Sequence, residues 1–197
     1  MKIGIEACGI FGWRGPGRNI RNLIFSLLEA DKENEYYLFV DKEPQISFGH
    51  NSKIIIVKKR KFIPWLNLSL PLAVRRLDLD LFFFPQSNFW FYKPVKTIVY
   101  TRTAKINLPW SNSIYEKFQI ILKNIFFKYM DGIICNSNFN RTQIELTTKI
   151  DIRKCNVVYN GVDPIFLDKK NEPFFGYGDY ILFVGGTDNR KNIKNLL

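Results

Sequence analysis

Short β-rich runs that alternate with helical stretches constrain this chain more than any other feature. "KIGIEA", "EYYLFV", "KIIIVK", "LDLFFFP", "KTIVYT", "DGIICNS" and "CNVVYNGVD" follow one another as strand candidates of four to six residues. After the first, Ile20, Leu23, Ile24, Leu27 and Leu28 fall at helical spacing and make one continuous apolar face. Pro16 suits the first turn of that helix. The longest helix candidate is "SNSIYEKFQIILKNIFFKYM", and Ser137 is placed to cap another through "NFNRTQIELTTK". "IPWLNLSLPLAVRRL" reads as mixed helix and loop. Strands alternating with helices predict an α/β domain with a mainly parallel sheet covered on both faces.

The last stretch reads differently. "DKKNEPFFGYGD" is polar and carries Gly and Pro, as a linker does. "YILFVGG" then predicts a new strand and "NRKNIKNLL" the start of a helix. One strand and a helical stub cannot make a core. Residues from about Asp179 are therefore expected to begin a second domain that the chain does not complete. The other arrangement pairs them back onto the first sheet.

Charge and cysteine usage bound the class of partner. The formal net charge is +11, so polyanions are favoured: nucleic acid, nucleotide phosphates or an anionic membrane face. The plainer reading is a basic surface with no single partner, since Lys42, Lys53, Lys96 and Lys128 are scattered. Cys8, Cys135 and Cys155 have no metal-ligand spacing, and only His50 could join them. Neither a structural zinc nor a disulfide framework is expected, which suits a reducing, cytoplasmic compartment. No apolar run is long enough to span a bilayer; the most apolar stretches are broken by Asp80, Pro85, Lys123 and Lys128.

Chemistry is most legible in "GWRGPGRNIRNLIFSLL", residues 12–28. Gly9, Gly12, Gly15 and Gly17 lie between a strand and a helix, where free backbone N–H groups suit an anion. Arg14 and Arg18 add forked donors. The same loop also reads as a turn that needs glycine for its geometry alone. The P-loop ending is missing. Asp41, at the end of the second strand, sits where a dinucleotide fold places its ribose-binding acid, but Pro16 stands where close backbone approach is wanted. Near the C-terminus, "FVGGTDNRKNIKNLL" repeats strand, Gly turn, basic pair and helix, and "YNGVD" is a turn without chemistry of its own.

Taken together, "IGIEACGIFGWRGPGRNIRNLIFSLL", "DGIICNSNFNRTQIE", "CNVVYNGVDPIF" and "YILFVGGTDNRKNIKNLL" resemble successive landmarks of family 4 glycosyltransferases, retaining nucleotide-sugar enzymes with two facing Rossmann-like domains, the GT-B fold. The resemblance implies an acceptor-side domain over residues 1–170, a linker over 171–178 and the beginning of the donor-binding domain over 179–197. It implies that Gly15, Gly17 and Arg18 face the donor phosphates and acceptor, and that Arg190 and Lys191 lie near the donor diphosphate. Many members carry a His-Asp pair after the fifth strand. Here "TIVYTRTAKINLP" has Thr101 and Arg102, which makes Arg102 a candidate acceptor-side contact.

The function implied is transfer of a sugar from a nucleotide-sugar donor to a glycan or lipid-linked acceptor, in polysaccharide or lipopolysaccharide biosynthesis. No cofactor or metal is expected, and the fragment alone is expected to be inactive. Basic and aromatic character suits peripheral docking at an anionic inner membrane face, with "FPQSNFWFYKP", where Trp90 lies near Lys93, read either as an acceptor or membrane-facing loop or as aromatics packed under the sheet edge. Two other classes remain: a nucleic-acid-binding basic α/β module, and an NAD(P)-dependent oxidoreductase using the first Gly loop and Asp41.

Overall fold

The structure, a computed structural model, describes residues 1–12, 15–44, 46–59, 61–88, 90–102, 121–122, 125–162, 166–167, 182–184 and 193–195, with Pro16 and Lys194 described by backbone alone. Seven strands form one sheet: β1 (Lys2–Glu6), β2 (Glu35–Val40), β3 (Ser52–Ile56), β4 (Leu81–Phe84), β5 (Thr97–Thr101), β6 (Gly132–Cys135) and β7 (Cys155–Val157). Their order is β3-β2-β1-β4-β5-β6-β7, and every pairing is parallel. This is a Rossmann-like α/β sheet of the kind the alternating pattern predicts.

Side-chain alternation along β2 explains the two layers. Tyr36, Leu38 and Val40 point to one face, where they pack with Ile20, Ile24 and Leu28 of α1 (Gly15–Ala30). Tyr37 and Phe39 point to the other, into a larger core with Trp65, Leu70, Phe82, Phe84 and Trp90. Burial on both faces is why the central strands read as continuous apolar runs. Each fully buried Ile or Leu stabilises by about 1.5–3 kcal/mol relative to exposure. The edge strand β3 shows the contrast: its Ile54 and Ile56 stay exposed.

The second layer is helical throughout, where the sequence suggested helix mixed with loop. It comprises α2 (Phe62–Pro64), a π-helical turn (Trp65–Ser69) and α3 (Leu70–Arg75). The amide of Leu70 donates to the carbonyl of Trp65, five residues back. Pro71 explains the widening: it has no N–H for the carbonyl of Asn67, and its ring crowds that group. Residues 121–122 and 125–129 are also helical. The helix α4 (Asn138–Thr148) starts as expected at Ser137, whose hydroxyl accepts the Asn140 amide at 3.1 Å.

The chain divides into two compact units, Met1–Asn160 and Gly161–Leu197. In the second, Leu182, Phe183 and Val184 are exposed and form no strand, which corrects the expectation for "YILFVGG" at these residues. A strand exists only against a pairing partner, and no other strand occurs among the described residues of that unit. Residues 193–195 form a single 3-10 turn.

Candidate functional site

Because all seven strands are parallel, their C-terminal ends meet one edge of the sheet. The strand order reverses direction between β1 and β4. Connections leave to opposite sides at such a reversal, and α/β sheets bind ligands outside the strand ends there. α1 begins at this edge, after β1, and Arg102 follows β5 along it.

Buried polar groups line the edge. Glu6 ends β1 and is only 2% exposed. Its carboxylate accepts the Cys8 amide at 2.9 Å and the Asn88 side-chain amide at 3.1 Å. Burial raises its pKa, while those two donors and the charge of Lys59 pull it part of the way back. Ser87 donates to the hydroxyl of Thr101 at 3.1 Å. Asn140 of α4 donates to the carbonyl of Thr101 at 2.8 Å and to the side chain of Asn136 at 3.1 Å. Tyr100 donates its hydroxyl to Asn160 at 2.5 Å. Segments from β1, the loop after β4, β5, β6 and α4 are thus stitched into a rim by side-chain hydrogen bonds, with α4 joined to β5 through the Thr101 carbonyl. Buried polar groups that find partners in this way rigidify a site.

The glycines of the first loop separate into two kinds. Gly15 is exposed, and nothing lies within 4 Å of where a side chain would project. Gly17 is buried, and the same point lies 2.6 Å from the carbonyl oxygen of Gly9 and 2.7 Å from the Cα of Gly12. The loop 9–12, tied by the Gly12 amide to the Gly9 carbonyl at 2.9 Å, packs directly on the first turn of α1. Only glycine permits that approach. Arg18 is exposed and Arg102 half-buried. Burial raises the pKa of the Tyr100 phenol, and the charge of Arg102 opposes that rise. Gly15, Gly17 and Arg18 therefore stand together at the start of α1, with Arg102 on the same edge beyond β4. Arg190 and Lys191 lie outside the described residues.

Several expectations resolve here. Asp41 forms an ion pair with Lys59 at 3.2 Å, and Lys59 also donates to the sulfur of Cys8 at 3.0 Å. Burial pushes the Cys8 thiol up to about 11, against the hydrogen bond from Lys59. Trp90 is not a surface group: it is 2% exposed and packs on the rings of Phe82 and Phe84, with centroids at 4.5 and 5.0 Å. The apolar strand β4 offers the indole a deeper pocket than the surface does. Its neighbours Phe91 and Tyr92 are exposed. His50 precedes β3, so it belongs to the opposite edge of the sheet. Among the described residues, no group of three His, Cys, Asp or Glu side chains is placed to hold a metal ion, and no helix is long and apolar enough to cross a membrane.

A match to Glycosyltransferase Family 4 spans residues 17–166, about three quarters of the chain. The chain belongs to Glycosyltransferase Family 4. The sheet order and the match agree, since the family match begins at the Gly-rich start of α1 and runs past β7. No curated protein matches the chain.

Among solved structures, it is similar to a sucrose-phosphate synthase from Thermosynechococcus elongatus, with TM-score 0.57, 12% identity, 83% of this chain covered and 49% of that one. It is similar to a glycosyltransferase from Rickettsia africae, with TM-score 0.49, 14% identity, 87% covered and 46% of that chain. A third similarity is to Anabaena Alr3699/HepE, solved with UDP and glucose, with TM-score 0.46, 16% identity, 83% covered and 45% of that chain. The chain spans about half the length of these structures. The fold is that of the N-terminal domain of GT-B glycosyltransferases.

Sequence reading missed most of this glycosyltransferase rim: Glu6, Ser87, Asn88, Asn136 and Asn140. A signal was present, because "E", "QSN", "TR" and "NSN" each lie at or just beyond the C-terminal end of an apolar strand. In a parallel sheet, those positions share one edge.

Proposed function

We propose that this chain supplies the acceptor-side domain of a retaining glycosyltransferase, which moves a sugar from a nucleotide-sugar donor to a glycan or lipid-linked acceptor. The supporting observation is the family match across residues 17–166 together with the buried polar rim at the C-terminal ends of the strands. Within the proposal, residues 1–170 form the first domain, 171–178 the linker and 179–197 the beginning of the donor-binding domain. The chain by itself is inactive.

The reaction breaks the bond between the anomeric carbon and a phosphate oxygen of the donor. A bond forms from the acceptor oxygen to the same face, and the acceptor hydroxyl's proton passes to the departing phosphate oxygen. Negative charge grows on the departing diphosphate. The open start of α1 at Gly15, with Arg18, presents N–H groups and positive charge toward it. Arg190 and Lys191 take the same role from the second domain, and Arg102 contacts the acceptor. This assignment asks for no metal. Closure of the second domain aligns the reactants and expels water. An acceptor held at an anionic inner leaflet fits the net charge of +11 and implies peripheral membrane association.

The test uses the full-length enzyme that contains this chain. Lys191→Ala is expected to lower kcat by about 10²-fold or more, as loss of a preorganised charge contact does. Turnover by the variant at the parent rate would remove Lys191 from the proposal. A nucleoside diphosphate should raise the melting temperature of the parent enzyme. Stabilisation by a dinucleotide alone would instead favour hydride-transfer chemistry.

A further inference from the structure

The helical layer Phe62–Arg75 carries apolar residues on both of its sides. Trp65, Leu66, Leu70 and Val74 are buried in the core, while Phe62, Ile63, Leu68 and Leu72 are exposed. Leu68 is 61% exposed and Ile63 62%. Lys61, Pro64, Leu68, Leu72 and Arg75 follow one another at helical spacing on the outward side, where an ordinary surface helix is polar. The patch does not end at the helix. The Phe91 amide donates to the side chain of Asn67 at 2.8 Å, which pins exposed Phe91 and Tyr92 beside the π-helical turn. The Phe91 ring meets that of Phe126 at 5.2 Å, and exposed Ile125 and Tyr129 share that segment.

Charge identifies the occupant. Residues 44–77 contain no Asp or Glu. Exposed Lys58 and Lys61 bracket one end of the apolar face and exposed Arg75 and Arg76 the other. A second copy docked on this patch would set cation against cation. An apolar strip flanked by uncompensated cations is the pattern of a helix lying in the headgroup region of an anionic bilayer.

We infer that the outward face of Phe62–Arg75, extended by Phe91 and Tyr92, docks this domain onto an anionic lipid bilayer. Leu68, Leu72 and Ile63 enter the acyl boundary, while the flanking Lys and Arg side chains reach lipid phosphates and carboxylates. This deepens the membrane part of the function proposed above. It is read without turnover, so its failure leaves the transfer reaction standing.

The experiment is co-sedimentation of the 197-residue chain with vesicles of phosphatidylcholine alone or with about 30% phosphatidylglycerol. Binding is expected to be at least about tenfold tighter to the anionic vesicles. A Leu68→Glu/Leu72→Glu double variant should lose about tenfold or more of that binding with its circular dichroism spectrum unchanged. Lys61→Glu/Arg75→Glu serves as an independent second variant and should abolish the preference for phosphatidylglycerol. Leu146→Glu, at an exposed apolar site on α4, should bind like the parent. Equal binding to both vesicle types, or retention by both double variants, overturns the assignment. So does binding that falls with salt yet ignores the Leu68 and Leu72 changes, since that marks charge attraction without insertion. Self-association abolished by the Leu68/Leu72 variant, with no vesicle binding, would assign the patch to a second copy and equally overturn it.

Discussion

The rim at the C-terminal edge of the sheet and the outward face of Phe62–Arg75 invert the usual arrangement in opposite senses. At the rim, polar side chains are buried: Glu6, Thr101 and Asn140 are each at most 3% exposed. On the helical layer, large apolar side chains are in water. The rim compensates internally, with a partner for each of these three groups. On the outward face Lys59 lies over the Phe62 ring, while Ile63, Leu68 and Leu72 stay half exposed or more. A buried polar group left without a partner is penalised by desolvation, whereas an exposed leucine loses only the gain it would have made by burial. A rim can therefore be built from within one domain, while an apolar face awaits something outside it.

One loop joins the two regions. Ser87 and Asn88 serve the rim, Trp90 plugs the core, and Phe91 and Tyr92 extend the patch. Trp90→Ala is expected to destabilise by about 3–5 kcal/mol in urea unfolding, because the core cannot collapse into so large a void. A loss below about 1 kcal/mol would mean that the loop is held by its ends and not by the indole.

Gly17→Ala should come next, at about 1–3 kcal/mol, since the new methyl meets backbone atoms of Gly9 and Gly12 that have little room to yield. Gly15→Ala should be neutral or stabilising by up to about 1 kcal/mol, because its site is open and helical. If the two substitutions behave alike, the division of the loop into a packed glycine and an open one is wrong.

The rim also predicts a pH dependence. The folded state raises the pKa of Glu6 above its ordinary value, so folding favours proton uptake there relative to the unfolded chain. Its contribution to stability is complete below the ordinary carboxyl range and declines as pH rises through the elevated value. Glu6→Gln should flatten the decline seen in melts as pH rises above the ordinary carboxyl range. An identical slope in the variant would show that another group sets it. The smallest effect belongs to the patch: Leu68→Gln should change unfolding free energy by no more than about 0.5 kcal/mol while weakening vesicle binding. A clear loss of stability there would reveal cover that the exposure of Leu68 denies.

Much of the architecture is determined by local pattern. β-branched and aromatic runs of strand length, the 3-and-4 spacing of Ile20, Leu23, Ile24, Leu27 and Leu28, and Ser137 ahead of α4 act over a few residues. Each can be recognised without knowing the fold. The placement of Gly15, Gly17 and Arg18 at a helix start follows from the same short-range signals. Three things needed tertiary structure. The pairing of Glu6 with Asn88 links residues 82 positions apart, and only the parallel order of β1 beside β4 brings them together. The burial of Trp90 against exposed Phe91 depends on which side of one loop faces Phe82 and Phe84. The outward apolar face of Phe62–Arg75 is invisible in hydrophobicity alone, because core and surface leucines are chemically identical there. Burial is a property of what lies across space from a residue, and short-range pattern carries no information about that distance.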